Sequence, residues 1–233
     1  MRIRALSTGV HQRVFHRIPA HSRGRRHLKA RVAHLPTWAA LRGFLQAVDR
    51  RPREELTALR VAIRGLKGEN RDFTNPEHWV TAHVEGSARA LGLAIWKVSK
   101  GALNPRYVAH AASLANRYDL VEEDDDGVLV VTDAGRDFVD VVGGDTERAL
   151  DVAEGVARVL ALVAEHGPLR SAELLDPYMD WSLKHTGMKS ETTVRVSLHA
   201  RLTNLMERGL VERTGHSYAI TATVSMAPLL QGP

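Results

Sequence analysis

Two short turns constrain this chain more than any other feature. Asp125-Asp126-Gly127 lies between Leu120-Val121-Glu122-Glu123 and Val128-Leu129-Val130-Val131-Thr132. Thr214-Gly215-His216 lies between Leu210-Val211-Glu212-Arg213 and Tyr218-Ala219-Ile220-Thr221. A glycine-bearing turn between β-rich runs signals a two-stranded hairpin. Each hairpin closes a stretch of helical apolar spacing, so the same order is written twice. That pattern predicts a mainly α fold with small β-hairpins. The length, 233 residues, suits one medium domain or two small ones.

Apolar periodicity fills in the helices. Thr37 caps a helix carrying Trp38, Leu41, Phe44, Leu45 and Val48, and Pro52 opens a second with Leu56, Leu59, Ile63 and Leu66. These form a helical lead-in over 35–70. In a first unit, 71–145, helices start at Asn75-Pro76, near Ser87 and at Pro105, and a last one after the hairpin carries Phe138 and Val142. In a second unit, 146–224, one helix is expected over 147–166 with Leu150, Val156, Val159, Leu160 and Val163. Ser171 caps the next, with Leu174, Leu175, Tyr178 and Trp181, and Ser190 caps a third that runs to Arg208 and closes at Gly209. Three helices followed by a two-stranded wing is the winged helix-turn-helix, so tandem winged helix-turn-helix domains are expected. In that motif the third helix enters the major groove and the wing lies along the backbone.

Charge is distributed unevenly. The chain carries +5, but residues 1–34 alone hold nine Arg or Lys and no acid. The remainder is −4, with +3 over 35–70, −6 over 71–145 and −1 over 146–233. Residues 1–34 lack a sustained apolar period and are expected to form a disordered basic arm. It reads as an arm on nucleic acid, as a non-native extension from a start placed too far upstream or, less well, as a targeting peptide. Residues 225–233 form a tail. The chain has no cysteine, which removes disulfides and thiolate chemistry and points to a reducing, cytoplasmic setting. The longest apolar run, 156–164, is interrupted by Arg158 and is too short to span a bilayer, so no membrane partner is expected.

Several phrases carry a family likeness. Asp72-Phe73-Thr74-Asn75-Pro76-Glu77-His78-Trp79, Ile95-Trp96-Lys97, Asn104-Pro105-Arg106-Tyr107, Arg117-Tyr118-Asp119-Leu120 and Thr132-Asp133-Ala134-Gly135-Arg136-Asp137-Phe138 resemble the N-terminal region of Mrr-like restriction endonucleases. Leu202-Thr203-Asn204-Leu205 with Arg208-Gly209-Leu210-Val211-Glu212-Arg213 resembles the second winged helix of that region. The likeness implies DNA recognition by the winged helices and cleavage by a separate nuclease domain. Such a nuclease uses an Asp followed by Glu-x-Lys or Gln-x-Lys to hold Mg²⁺ and assist the attacking water. None of the six lysines, Lys29, Lys67, Lys97, Lys100, Lys184 and Lys189, stands two residues after Glu or Gln. The expectation is therefore a recognition half without the nuclease, not itself an enzyme, either truncated from its nuclease or paired with a separate nuclease subunit.

The helix over 190–208 is the candidate reader. At about 100° per residue, Val194, Leu198, Leu202, Leu205 and Met206 form its apolar stripe. Arg195 and His199 flank the stripe on one side, Arg201 and Arg208 on the other. Lys189, Ser190, Thr192 and Thr193 gather at its N-terminus, where the dipole favours a phosphate. Residues 184–213 hold six basic and three acidic residues, a local +3, and Arg213 and His216 sit on the wing. In the first unit Asn104, Arg106, His110 and Arg117 are the candidates, but its wing carries Glu122-Glu123-Asp124-Asp125-Asp126, which would repel phosphates. That acidic run approaches a calcium-loop pattern at Glu122, Asp124, Asp126 and Asp133 but departs from it at both ends, and the hairpin reading is preferred. No zinc or phosphate-cradling glycine motif appears, so no cofactor is expected.

The sequence thus reads as a duplex-DNA-binding protein that works mainly through its second unit. A winged-helix protein-interaction module and a transcriptional regulator are the alternatives. The oligomeric state is open.

Overall fold

The computed structural model describes residues 34–66 and 72–221. The arm over 1–34, except His34, and the tail over 225–233 lie outside the described residues.

Helix α1 (Trp38–Val48) begins where predicted, with the Ala40 amide donating to the Thr37 hydroxyl at 3.2 Å. It buries Trp38, Leu41, Phe44, Leu45 and Val48. A two-residue strand β1 (Arg51–Pro52) leads into α2 (Arg53–Gly65), which buries Leu56, Leu59 and Ile63. Next come α3 (Pro76–His83), capped by Asn75, and α4 (Gly86–Val98). A 3-10 turn (Pro105–Tyr107) opens α5 (Val108–Arg117). The hairpin β2 (Val121–Glu123) and β3 (Val128–Val131) follows, with Gly127 at φ +76 in the turn.

β1 corrects the expected organisation. It pairs antiparallel with β3, Arg51 opposite Leu129 and Pro52 opposite Val128, and the sheet order is β1-β3-β2. A proline fits here because β1 is an edge strand. α1 crosses α4 so closely that a Cβ on Gly43 would stand 2.4 Å from the Ser99 Cα. Residues 35–66 are therefore not a lead-in to a separate 71–145 unit. They supply its first helix, its edge strand and part of its core.

Two helices link the halves. α6 (Asp133–Asp140), capped by the Thr132 hydroxyl, buries Phe138, but it ends before Val142, which is exposed rather than packed. α7 (Asp145–Ala153) and α8 (Val156–His166) replace the single helix expected over 147–166. Gly155 separates them in the left-handed region, at φ +75, which an L side chain adopts only at a cost.

After α8 comes a second short strand, β4 (Leu169–Arg170), which the sequence does not foretell. α9 (Ser171–His185) starts at Ser171, but the cap differs from expectation: Glu173 accepts from the Arg170 amide at 2.6 Å. α10 (Glu191–Glu207) and the hairpin β5 (Val211–Thr214) and β6 (Ser217–Ile220) are the last elements among the described residues, and they follow the predicted order. β4 pairs with β6, giving the order β4-β6-β5.

The structure is mainly helical, with two small three-stranded antiparallel sheets. Both halves run helix, short strand, helix, then a helix leading into a hairpin whose last strand takes the short strand as its neighbour. The first half has α3 and α4 inserted before its last helix. Buried apolar residues from both halves form one continuous core. Among the described residues, no helix is long and apolar enough to cross a membrane.

Candidate nucleic-acid interface

α10 starts from a well-satisfied cap. The Thr193 amide donates to the Ser190 hydroxyl at 3.2 Å, and the Ser190 and Thr193 hydroxyls lie 2.7 Å apart. Lys189, Ser190 and Thr192 are exposed and Thr193 is half-buried. The positive end of the helix is open to solvent, but the Glu191 carboxylate stands in its first turn and competes with any incoming anion for it. Arg195, one turn on, pairs with that Glu191 carboxylate. His199 is exposed beside it. The outer face therefore presents Thr192, Arg195 and His199, with Val196, Ala200 and Thr203 half-buried between them.

The wing adds two further groups. Arg213 and His216 are exposed on the β5–β6 hairpin. The Arg213 Nε donates to the Gly215 carbonyl at 3.0 Å, and its guanidinium lies 5.8 Å from the Tyr218 ring. That bond steadies the side chain and leaves its remaining donors for a phosphate.

The opposite flank of α10 is turned inward, which overturns Arg201 as a candidate contact. Arg201 is fully buried: Nε donates to the Glu154 carbonyl at 2.8 Å, Nη1 to the Ser197 carbonyl at 3.2 Å, and Nη2 lies 3.3 Å from the Glu154 carboxylate. Arg208 is nearly as deep, bound to both carboxylate oxygens of Asp151 at 2.7 and 2.8 Å and 2.7 Å from Glu147. With these two withdrawn, residues 184–213 expose four basic residues against three acids, and the local surplus falls from +3 to +1.

The acids that take these arginines lie along α7 and at its C-terminal cap. Glu147, Asp151 and Glu154 stand four and three residues apart, so they share one helix face. All three are buried. Arg42 of α1 pairs with Glu147, while Arg117 lies 3.6 Å from Glu154 and the Tyr118 hydroxyl donates to it at 2.6 Å. The Trp38 indole donates to Asp151 at 2.8 Å. Asn204 of α10 accepts from the Trp38 amide at 3.2 Å and donates to the Pro36 carbonyl at 3.1 Å. Three carboxylates and four arginines thus join the halves. Burial pushes the Asp151 carboxyl above its ordinary range, and the bonds from Arg208 and Trp38 offset only part of that push. The sequence held one signal for this cluster, the acidic stripe at helical spacing on α7.

The first half offers less to a duplex. Arg106 is exposed at the start of α5, with its guanidinium 4.4 Å above the Phe73 ring. Asn104 is engaged in the fold, accepting from the Arg106 amide at 3.1 Å and donating to the Phe73 carbonyl at 2.7 Å. The five acids of the wing are all exposed. Asp124 accepts from the Asp126 and Val128 amides at 3.1 and 2.9 Å, and Glu123 pairs with Arg53. Those bonds make the acidic run a closed hairpin turn.

No family model, curated protein or solved structure matches the chain.

Proposed function

We propose that this chain is a DNA-binding protein built from two winged helix-turn-helix units, resembling the recognition part of Mrr-like restriction endonucleases, with any cutting left to a separate nuclease subunit. The observation that carries the reading is the shared connection order of the halves. In each, a short strand between the first two helices joins the closing hairpin beside its last strand. That order puts a helix and a wing side by side, the arrangement that places a helix in the major groove.

In this reading the second unit makes the duplex contact. Arg195 and His199 flank the groove and reach the phosphates beside it, Lys189, Ser190 and Thr192 meet a phosphate at the start of α10, and Arg213 and His216 follow the backbone from the wing. These are mostly phosphate contacts, which position a protein more than they specify a sequence. The first unit braces the second through the buried ion cluster. Its acidic wing favours a second role, docking a basic protein surface, since five exposed acids repel a phosphate backbone.

The test is a titration of the full chain with mixed-sequence duplex fragments across a range of salt. Binding that weakens as salt rises supports the reading. Absence of binding at low salt, with recovery of a stable protein partner, would replace it with the interaction-module reading.

A further inference from the structure

The outer face of α10 carries no long polar side chain at its centre. Val194 faces the core, and helical spacing at about 100° per residue puts Val196, Ala200 and Thr203 on the opposite side, within about 60° of one another. They form one stripe that rises about 10 Å along the helix. Exposed Thr192 and Glu207 mark its two ends. Among the described residues, the half-buried apolar side chains of α10 that pack on the core are Ala200 and Met206; Val196, also half-buried, is not one of them. Its methyls are therefore available to a partner. The Thr203 hydroxyl donates to the His199 carbonyl at 3.0 Å, which leaves the γ-methyl as the group this side chain offers.

The side chains that read bases through paired hydrogen bonds are committed elsewhere. Guanine is read by Arg or Lys and adenine by Asn or Gln. α10 has no Lys and no Gln. Its one Asn, Asn204, is buried and bonded to Trp38 and Pro36. Arg201 is buried on Glu154, and Arg208, the C-cap, grips Asp151. Arg195 pairs with Glu191 and lies on the flank, about 100° round the helix from Val196. What remains at the centre of the face is methyl groups, on side chains short enough for the helix to come close to base edges.

We infer that α10 reads thymine, through contact of the Val196, Ala200 and Thr203 methyls with thymine C5-methyl groups in the major groove. The inference rests on the duplex-DNA reading above and adds the base class to it. Among the four bases, thymine carries the apolar group on the major-groove edge, and small methyl-bearing side chains are the ones that meet it. A stripe of about 10 Å spans about three base-pair steps of about 3.4 Å. A·T pairs are thus selected on apolar surface, while Arg195 and the wing hold the phosphates.

The experiment compares a short duplex of alternating A·T pairs with the same duplex carrying deoxyuridine in place of thymidine. Every register of the helix meets thymines in the first, and the second lacks only their C5-methyl groups. Phosphate contacts contribute equally to both. Each is titrated at low salt, by fluorescence anisotropy, into the full chain, into Val196→Ile and into the double variant Val196→Ser with Thr203→Ser. The native chain should bind the thymine duplex about fourfold more tightly for each methyl it buries. Val196→Ile should keep that preference and the double variant should lose it. Thr203→Ser keeps the hydroxyl that bonds His199, and a general loss of folding weakens both duplexes alike, so the ratio reads the methyl contact. Equal binding of the two duplexes by the native chain, or a preference that survives in the double variant, overturns the thymine inference while the duplex-binding reading stands. Failure to bind either duplex overturns both.

Discussion

Arg208, at the C-terminal end of α10, holds Asp151 of α7 with both terminal guanidinium nitrogens, Nη1 to Oδ1 at 2.7 Å and Nη2 to Oδ2 at 2.8 Å. The Asp151 side chain is 6% exposed and that of Arg208 12%, so water does little of the solvation. A pair this deep is costly to break, because the abandoned partner stays buried and charged. Asp151→Ala or Arg208→Ala should each destabilise the fold by about 3–5 kcal/mol. Asp151→Ala combined with Arg208→Ala should cost well below the sum of the single changes. Urea unfolding of the four proteins checks this, and additive losses would mean the two residues act independently.

The raised Asp151 pKa gives a signed pH dependence. The folded state takes up this proton more readily than the unfolded state, whose carboxyl sits near 3.8. Protonation therefore contributes stability that is fully present below 3.8 and is lost as the pH rises through the raised value. Asp72 has the opposite sign, since its bonds to Thr74 lower its pKa: its contribution is present above 3.8 and lost as the pH falls through the lowered value. Asp151→Asn cannot take up the proton. On acidification from neutral pH, the native chain should gain stability relative to Asp151→Asn. Unfolding curves for both proteins across that range report the difference, and parallel curves would refute the shift.

Gly155 is held by two separate demands. Its φ of +75 disfavours a side chain, and a Cβ there would stand 2.5 Å from the Trp181 ring. The left-handed conformation alone costs a non-glycine residue about 1–2 kcal/mol, and the ring contact adds to it. Gly143, at φ +72 with nothing within 4 Å of a Cβ, isolates the first cost. Gly155→Ala should lower the melting temperature more than Gly143→Ala does. In a Trp181→Ala background the two changes should become equivalent.

These positions show where the sequence was legible. Thr37, Asn75 and Ser190 were readable as caps because a short polar side chain before an apolar stripe has few other local roles, and each does accept from the helix it starts. Both hairpins were readable from their glycine turns. The strands β1 and β4 were not: two residues carry no alternation, and Arg51–Pro52 is a strand only because β3 lies beside it. Gly155 gives no sign of a break because the apolar period continues across it, from Leu150 to Val156 and Val159. Arg201 misleads for a related reason. Helical periodicity places it at the edge of the stripe, and an edge position becomes surface or interior according to what packs there. The deciding partner, Glu154, lies 47 positions away in sequence.

The two flanks of α10 should answer salt differently. Arg195 and Arg213 are exposed, and in the proposed complex each neutralises one phosphate. Removing one such arginine should flatten the dependence of log K on log salt by about one unit. Arg195→Ala with Arg213→Ala should therefore weaken binding to all duplex sequences alike and reduce the slope by about two. Arg201 contacts Glu154 and Ser197 instead. Arg201→Met should lower the unfolding midpoint and leave the salt slope unchanged wherever the protein remains folded. Fluorescence anisotropy across a salt series, with circular dichroism on the same samples, separates the two behaviours. A folded Arg201→Met protein with a flattened slope would mean that the inner flank of α10 opens onto DNA.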